Sequence, residues 1–130
     1  MRKNLFLIFG ITIASISFQV GAAYEDKQNG VCLAFTQYLN KKDAQTIKNS
    51  RFNQKFQPRL NDALNKVGSC MKGKADTPQQ VKNCMASTLS KADYDFLDGW
   101  NSGFFGIEVS EPNMNEIKSK FRTSCNTVVN

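Results

Sequence analysis

Four cysteines, Cys32, Cys70, Cys84 and Cys125, stand in a chain that has no histidine, and nothing else in the sequence limits its folds as strongly. If the four close into two cross-links, even a modest core suffices to hold the segments around them. Whether they close depends on the compartment, and the first 23 residues bear on that. Arg2 and Lys3 precede an apolar run over residues 5–20, which ends on Gly21-Ala22-Ala23. This is the layout of a secretory signal peptide, with cleavage after Ala22 or Ala23. The run falls short of the about 20 apolar residues a membrane span needs. No Cys follows the small residues, as it would in a lipoprotein, and no later segment is apolar enough to span a bilayer. An uncleaved N-terminal anchor is the competing reading. The chain is expected to be periplasmic or secreted, as a signal peptide over residues 1–23 followed by one domain over 24–130.

In an oxidising compartment an even number of cysteines implies disulfides. Metal ligation is the weaker alternative, because there is no C-x-x-C spacing and no imidazole. The chain has 17 Lys and Arg against 11 Asp and Glu; Arg2 and Lys3 lie in the acid-free first 23 residues, so residues 24–130 keep a net charge of +4. That charge is spread out with no cationic block, which argues against a nucleic-acid partner.

The apolar spacing is helical throughout. Over residues 25–39, Val31, Leu33, Ala34, Phe35, Tyr38 and Leu39 fall with Cys32 along one side of a wheel. A second helix is expected over 44–56, stopping before Pro58, since a residue preceding proline avoids the helical region. Pro58 then suits the first turn of a third helix carrying Leu60, Leu64, Val67 and Met71. After the turn at residues 72–76, Thr77-Pro78-Gln79-Gln80 offers an N-cap, a first-turn proline and a capping-box glutamine. The helix they open presents Val81, Cys84, Met85 and Leu89. Cys70 and Cys84 then face each other across a helical hairpin and are paired, which leaves Cys32 with Cys125. Such loops contribute about 3 and 4–5 kcal/mol in the chain-entropy model. Ser90 caps an aromatic helix with Tyr94, Phe96, Leu97, Trp100, Phe104 and Phe105, closed by Gly106 and stopped by Pro112. Asn113 caps a last helix with Met114, Ile117, Phe121 and Cys125 on one stripe. The expected class is all-α, with five or six short helices in a disulfide-stapled bundle.

Chemistry-bearing patterns are few. Without histidine there is no Ser-His-Asp or Cys-His arrangement. Asp93, Asp95 and Asp98 are a conceivable carboxylate set, but acids enriched in a first helical turn are ordinary dipole partners. The same run departs from a calcium loop, with acids at positions one, three and six and Phe104 at the twelfth. No phosphate-binding glycine pattern occurs, so no cofactor, no metal and no catalytic residue is assigned. Gly99 and Gly103 lie four apart and would let another helix approach closely. Trp100, Phe104 and Phe105 around them are read first as core and second as a contact surface.

Three stretches carry a family resemblance: Cys32-Leu33-Ala34-Phe35 followed by Leu39, Phe96-Leu97-Asp98-Gly99-Trp100-Asn101-Ser102-Gly103-Phe104, and the late Cys125. Together they resemble the HdeA/HdeB-like group of periplasmic proteins. The similarity covers about a quarter of the mature chain. It implies a small helical protein whose early and late cysteines are bonded, in agreement with the Cys32–Cys125 pairing. It also implies an acid-stress chaperone-like role: a homodimer that opens in acid and offers apolar surface to unfolded periplasmic clients. The Cys70–Cys84 hairpin is an addition to that pattern. The competing class is a periplasmic immunity or inhibitor protein that binds a cell-wall-degrading toxin or lysozyme. Both readings are non-enzymatic and act through protein contacts.

Overall fold

A computed structural model of the chain describes residues 9–42 and 51–125, with side chains over 25–42 and 52–125. Its described residues form five helices and no strand: α1 (Phe9–Lys42), α2 (Arg51–Met71), α3 (Pro78–Thr88), α4 (Lys91–Ser110) and α5 (Met114–Cys125). The all-α class expected from the apolar spacing is the one observed. Several boundaries differ. The side chains of the apolar N-terminal run and of both cleavage positions are outside what is described, as are the start of the expected second helix and the residues after Cys125. The backbone of α1 is helical across Ala22 and Ala23, so this helix is longer at both ends than the expected 25–39. No described helix is long and apolar enough to cross a membrane.

Pro58 does not divide two helices; it lies inside α2. An interior proline removes one helical hydrogen bond and costs about 3 kcal/mol. Here both Pro58 and Gln54, whose carbonyl would have accepted that bond, face solvent. Against that cost, Phe52, Phe56, Leu60, Ala63 and Val67 form a continuous buried stripe. Each large side chain in such a stripe is worth about 1.5–3 kcal/mol. Leu64, expected on this stripe, is instead 39% exposed, because the phenylalanines upstream of Pro58 set the buried face.

The caps fall where the sequence places them. The Thr77 hydroxyl accepts from the Gln80 N–H at 3.2 Å, Ser90 from the Asp93 N–H at 3.2 Å, and the Asn113 side chain from the Glu116 N–H at 3.1 Å. The reciprocal half of the capping box is replaced, since the Thr77 N–H donates to the Ala75 carbonyl at 2.9 Å. Gly106 does not close α4. The buried Ile107 and Ser110 beyond it carry the helix to Ser110, and the turn containing Pro112 ends it.

α1 is the central element, and its burial is not the expected one-sided stripe. Cys32, Leu33, Ala34, Phe35 and Thr36 are all buried in succession, which requires neighbours on every side. α1 and α4 run parallel: Lys27 bridges Asp98 at 3.4 Å near one end, and the Tyr38 hydroxyl donates to Glu111 at 3.4 Å near the other. Parallel neighbours need a return path between them. In chain order α2 and α3 lie between them.

The approach of α1 to α4 is set by glycine. A Cβ on Gly99 would strike the Lys27 carbonyl group, its carbon 2.8 Å away. One on Gly30 would meet the Phe96 carbonyl and, at 2.7 Å, the Trp100 nitrogen; one on Gly103 would lie 2.7 Å from the Ala34 Cβ. The close approach expected from Gly99 and Gly103 is therefore present, and α1 answers it with Gly30 and Ala34. Two disulfides lock the arrangement. Cys32–Cys125 ties α1 to the last residue of α5, with Cα atoms 5.2 Å apart, and Cys70–Cys84 ties α2 to α3 at 5.7 Å.

Candidate contact surface on the fourth helix

α4 buries its first half more completely than its second. Near its start, α2 and α3 cover Phe96 and Leu97, which are 0% and 2% exposed, with Phe56 stacked on Phe96 at 5.8 Å between ring centroids. Beyond Gly103, Ile107 and Ser110 stay buried while Phe104, Phe105 and Val109 are 37%, 65% and 59% exposed. Phe105 and Val109 are i and i+4, hence neighbours on the helix surface. Three of the four exposed large apolar side chains among the described residues thus lie within one stretch of α4.

The three aromatics singled out from the sequence separate into two roles. Trp100 is half-buried and packs against both apolar clusters of the core. Its indole N–H donates to Gln37 Oε1 at 3.0 Å. Gln37 Nε2 donates to Gln57 Oε1 at 2.7 Å, and Gln57 Nε2 donates in turn to Asn61 Oδ1 at 3.0 Å. This chain of amides runs from α4 across α1 to α2. Phe104 meets the Trp100 ring edge-on at 4.7 Å and leaves part of its face in solvent, while Phe105 stands clear of the core. Trp100 therefore acts as the rigid footing of an apolar strip whose exposed members are Phe104, Phe105 and Val109. Val109 was missed in the sequence, although its i,i+4 relation to Phe105 signalled it.

Gln37→Leu is expected to leave the Trp100 N–H and the Gln57 carbonyl unpaired, at a cost of about 1–3 kcal/mol. The chain's one tryptophan makes fluorescence a direct reporter. Unchanged stability and emission would mean that water satisfies both groups.

The acids on α4 are distributed among cations. Asp93 accepts from Arg59 Nε at 2.8 Å, and the same guanidinium reaches Asp26 at 3.4 Å, so one partly buried arginine joins α1, α2 and α4. That guanidinium lies 4.5 Å from the centroid of Phe96, over its ring. Asp95 pairs with Lys91 at 2.8 Å and Asp98 with Lys27 at 3.4 Å. The run proposed for comparison with a calcium loop is helical, and among the described residues no three His, Cys, Asp or Glu side chains are placed to hold a metal. Asp76 and Asp98 border one open cleft of about 390 Å³ beside the start of α3.

Among the described residues, two groups titrate away from their ordinary range. Partial burial, then the Glu111 carboxylate, push the Tyr38 phenol up; the hydrogen bond to Asp95 raises the Lys91 ammonium. Both shifts are upward. Their stabilisation is present below the unfolded values near 10 and is lost as pH rises through the folded ones. Neither senses acid. Comparison of the chain with protein families, with characterised proteins and with solved structures finds no match.

Proposed function

We propose that the protein acts outside the cytoplasm through apolar protein contacts, as an acid-stress chaperone-like protein that holds unfolding clients. The observation that carries this reading is the exposed strip of Phe104, Phe105 and Val109 on a helix anchored by Trp100. Aromatic anchors on a rigid element suit contact surfaces. The strip lies on a helix face and not on a protruding, charged loop, which favours a holding surface over a cleft-filling inhibitor.

An acid response follows from the ion pairs. Arg59 with Asp26 and Asp93, and Lys27 with Asp98, join α1, α2 and α4 through carboxylates, and strong acid weakens contacts of this kind in folded proteins generally. The 15 of the chain's 17 cations that lie outside the first 23 residues already outnumber its 11 acids. In acid, mutual repulsion among these cations loosens the hold of α2 on α1 and α4, baring the buried Phe52 and Phe56. The two disulfides keep the loosened chain from extending fully, so it enlarges its apolar surface without unravelling.

The test is to follow oligomeric state, hydrophobic-dye binding and protection of an acid-sensitive client from pH 7 to pH 2. Dye binding and protection are expected to rise together in acid. Phe105→Ser combined with Val109→Ser should retain the helical circular dichroism and lose most of the protection. A protein indifferent to pH, with no protection at any value, overturns the chaperone reading; capture of one tight partner at neutral pH would then mark the inhibitor class.

A further inference from the structure

The two disulfides occupy opposite environments. Cys32 and Cys125 are 0% and 1% exposed within the core. The hairpin bond reaches the surface: Cys84 is fully buried, while Cys70, in the last turn of α2, is only half-buried. The turn after α2 brings a cation to it. Gly73 has φ 78°, a left-handed conformation that glycine adopts without steric cost. The Lys74 N–H closes the turn on the Met71 carbonyl at 2.9 Å. The chain therefore doubles back, and the Lys74 ammonium comes to 3.4 Å from Cys70 Sγ and 3.7 Å from Cys84 Sγ. The Ser87 hydroxyl is 3.9 Å from Cys70 Sγ.

We infer that Cys70–Cys84 is a thiol-exchange site for small anionic thiols, attacked at Cys70 and assisted by Lys74, whereas Cys32–Cys125 is closed to exchange. An incoming thiolate attacks the more accessible sulfur, Cys70 Sγ. The new sulfur–sulfur bond forms as the old one breaks, and the electron pair departs on Cys84 as a thiolate beside the Lys74 ammonium. A cation at that distance attracts the anionic nucleophile and stabilises the leaving thiolate, and a leaving thiol of lowered pKa departs faster. Cys84 can then return to Cys70 and expel the small thiol, regenerating the disulfide. Alternatively a second small thiolate attacks the mixed disulfide, releasing the oxidised small thiol and leaving two protein thiols. Two electrons pass from two small thiols to the protein, and no other reductant is needed. The site is independent of the α4 strip.

The experiment exposes the oxidised protein to reduced glutathione under native conditions, quenches by alkylation and maps the products by mass. The glutathione adduct is expected first on Cys70, with Cys84 alkylated and Cys32–Cys125 intact. Lys74→Ala should slow adduct formation about fivefold, the effect of one unit charge about 4 Å away in water. That difference should shrink in high salt. Lys74→Arg should retain the rate, and Lys72→Ala, on the same turn, should stay close to the parent. Both disulfides opening together, an adduct first on Cys84, or a Lys74→Ala protein as fast as the parent or no slower than Lys72→Ala would each overturn the assignment.

Discussion

A Gly99→Ala protein is expected to lose at least about 3 kcal/mol of stability, the upper end of what overpacking usually costs. For a domain of this size that lowers the thermal midpoint by roughly 12–24 °C. The reason is the nature of the obstacle. A methyl group at this position strikes the Lys27 carbonyl group, which belongs to a helical backbone and has no rotamer to change. Relief requires α1 and α4 to move apart, which opens the packing around Trp100 and strains the Lys27–Asp98 pair. Gly30→Ala should behave alike, since it meets the Phe96 carbonyl from the other side. Gly68→Ala supplies the opposite sign. Nothing lies within 4 Å of a Cβ there, and α2 should gain about 0.5–1 kcal/mol from a residue with less freedom to lose. Thermal unfolding followed by circular dichroism measures all three. A Gly99→Ala midpoint within a few degrees of the parent would mean that the two helices do not touch backbone to backbone.

Removing the Cys32–Cys125 bond by replacing both residues with Ala is expected to cost about 4–5 kcal/mol. The same change at Cys70 and Cys84 should cost about 3. The difference follows from the loops closed, with partners 93 and 14 residues apart. Location acts in the same direction. Cys32 and Cys125 fill the core beside Leu33 and Phe96, so Ala leaves a gap there as well as a longer free chain. Denaturant unfolding of the two double variants gives the comparison directly. Equal losses would indicate that the unfolded chain retains enough structure to make loop length irrelevant.

Much of the local structure was legible along the chain. Thr77, Ser90 and Asn113 marked three helix starts because an N-cap satisfies orphan backbone N–H groups through the side chain alone, with no help from distant residues. The disulfide pairing was legible as well, since Cys70 and Cys84 flank one tight turn and only two cysteines then remain. The errors came where burial overrode a local preference. Pro58 argues for a boundary in isolation, yet α2 continues through it because Phe52 and Phe56 lie on the same stripe as Leu60. Gly106 argues for an end, yet Ile107 and Ser110 hold the next turn in place.

The candidate surface shows the same division. Tyr94, Phe96, Trp100, Phe104 and Phe105 belong to one aromatic helix, and helical spacing alone does not separate those that pack from those that face water. That depends on how far α2 and α3 extend along α4, and they cover its first half more than its second. Arg59 was likewise one cation among many until folding set it between Asp26 and Asp93 over the Phe96 ring. By itself the sequence determined the helical class, the caps and the disulfide pairing, because each rests on interactions within a few residues or on cysteine arithmetic. Only the tertiary structure decided that Gly30 and Ala34 receive Gly99 and Gly103, that Phe105 and Val109 are left exposed, and that Lys74 lies over one disulfide. Those outcomes depend on which distant backbones come to share a boundary, and that is settled when the helices pack together.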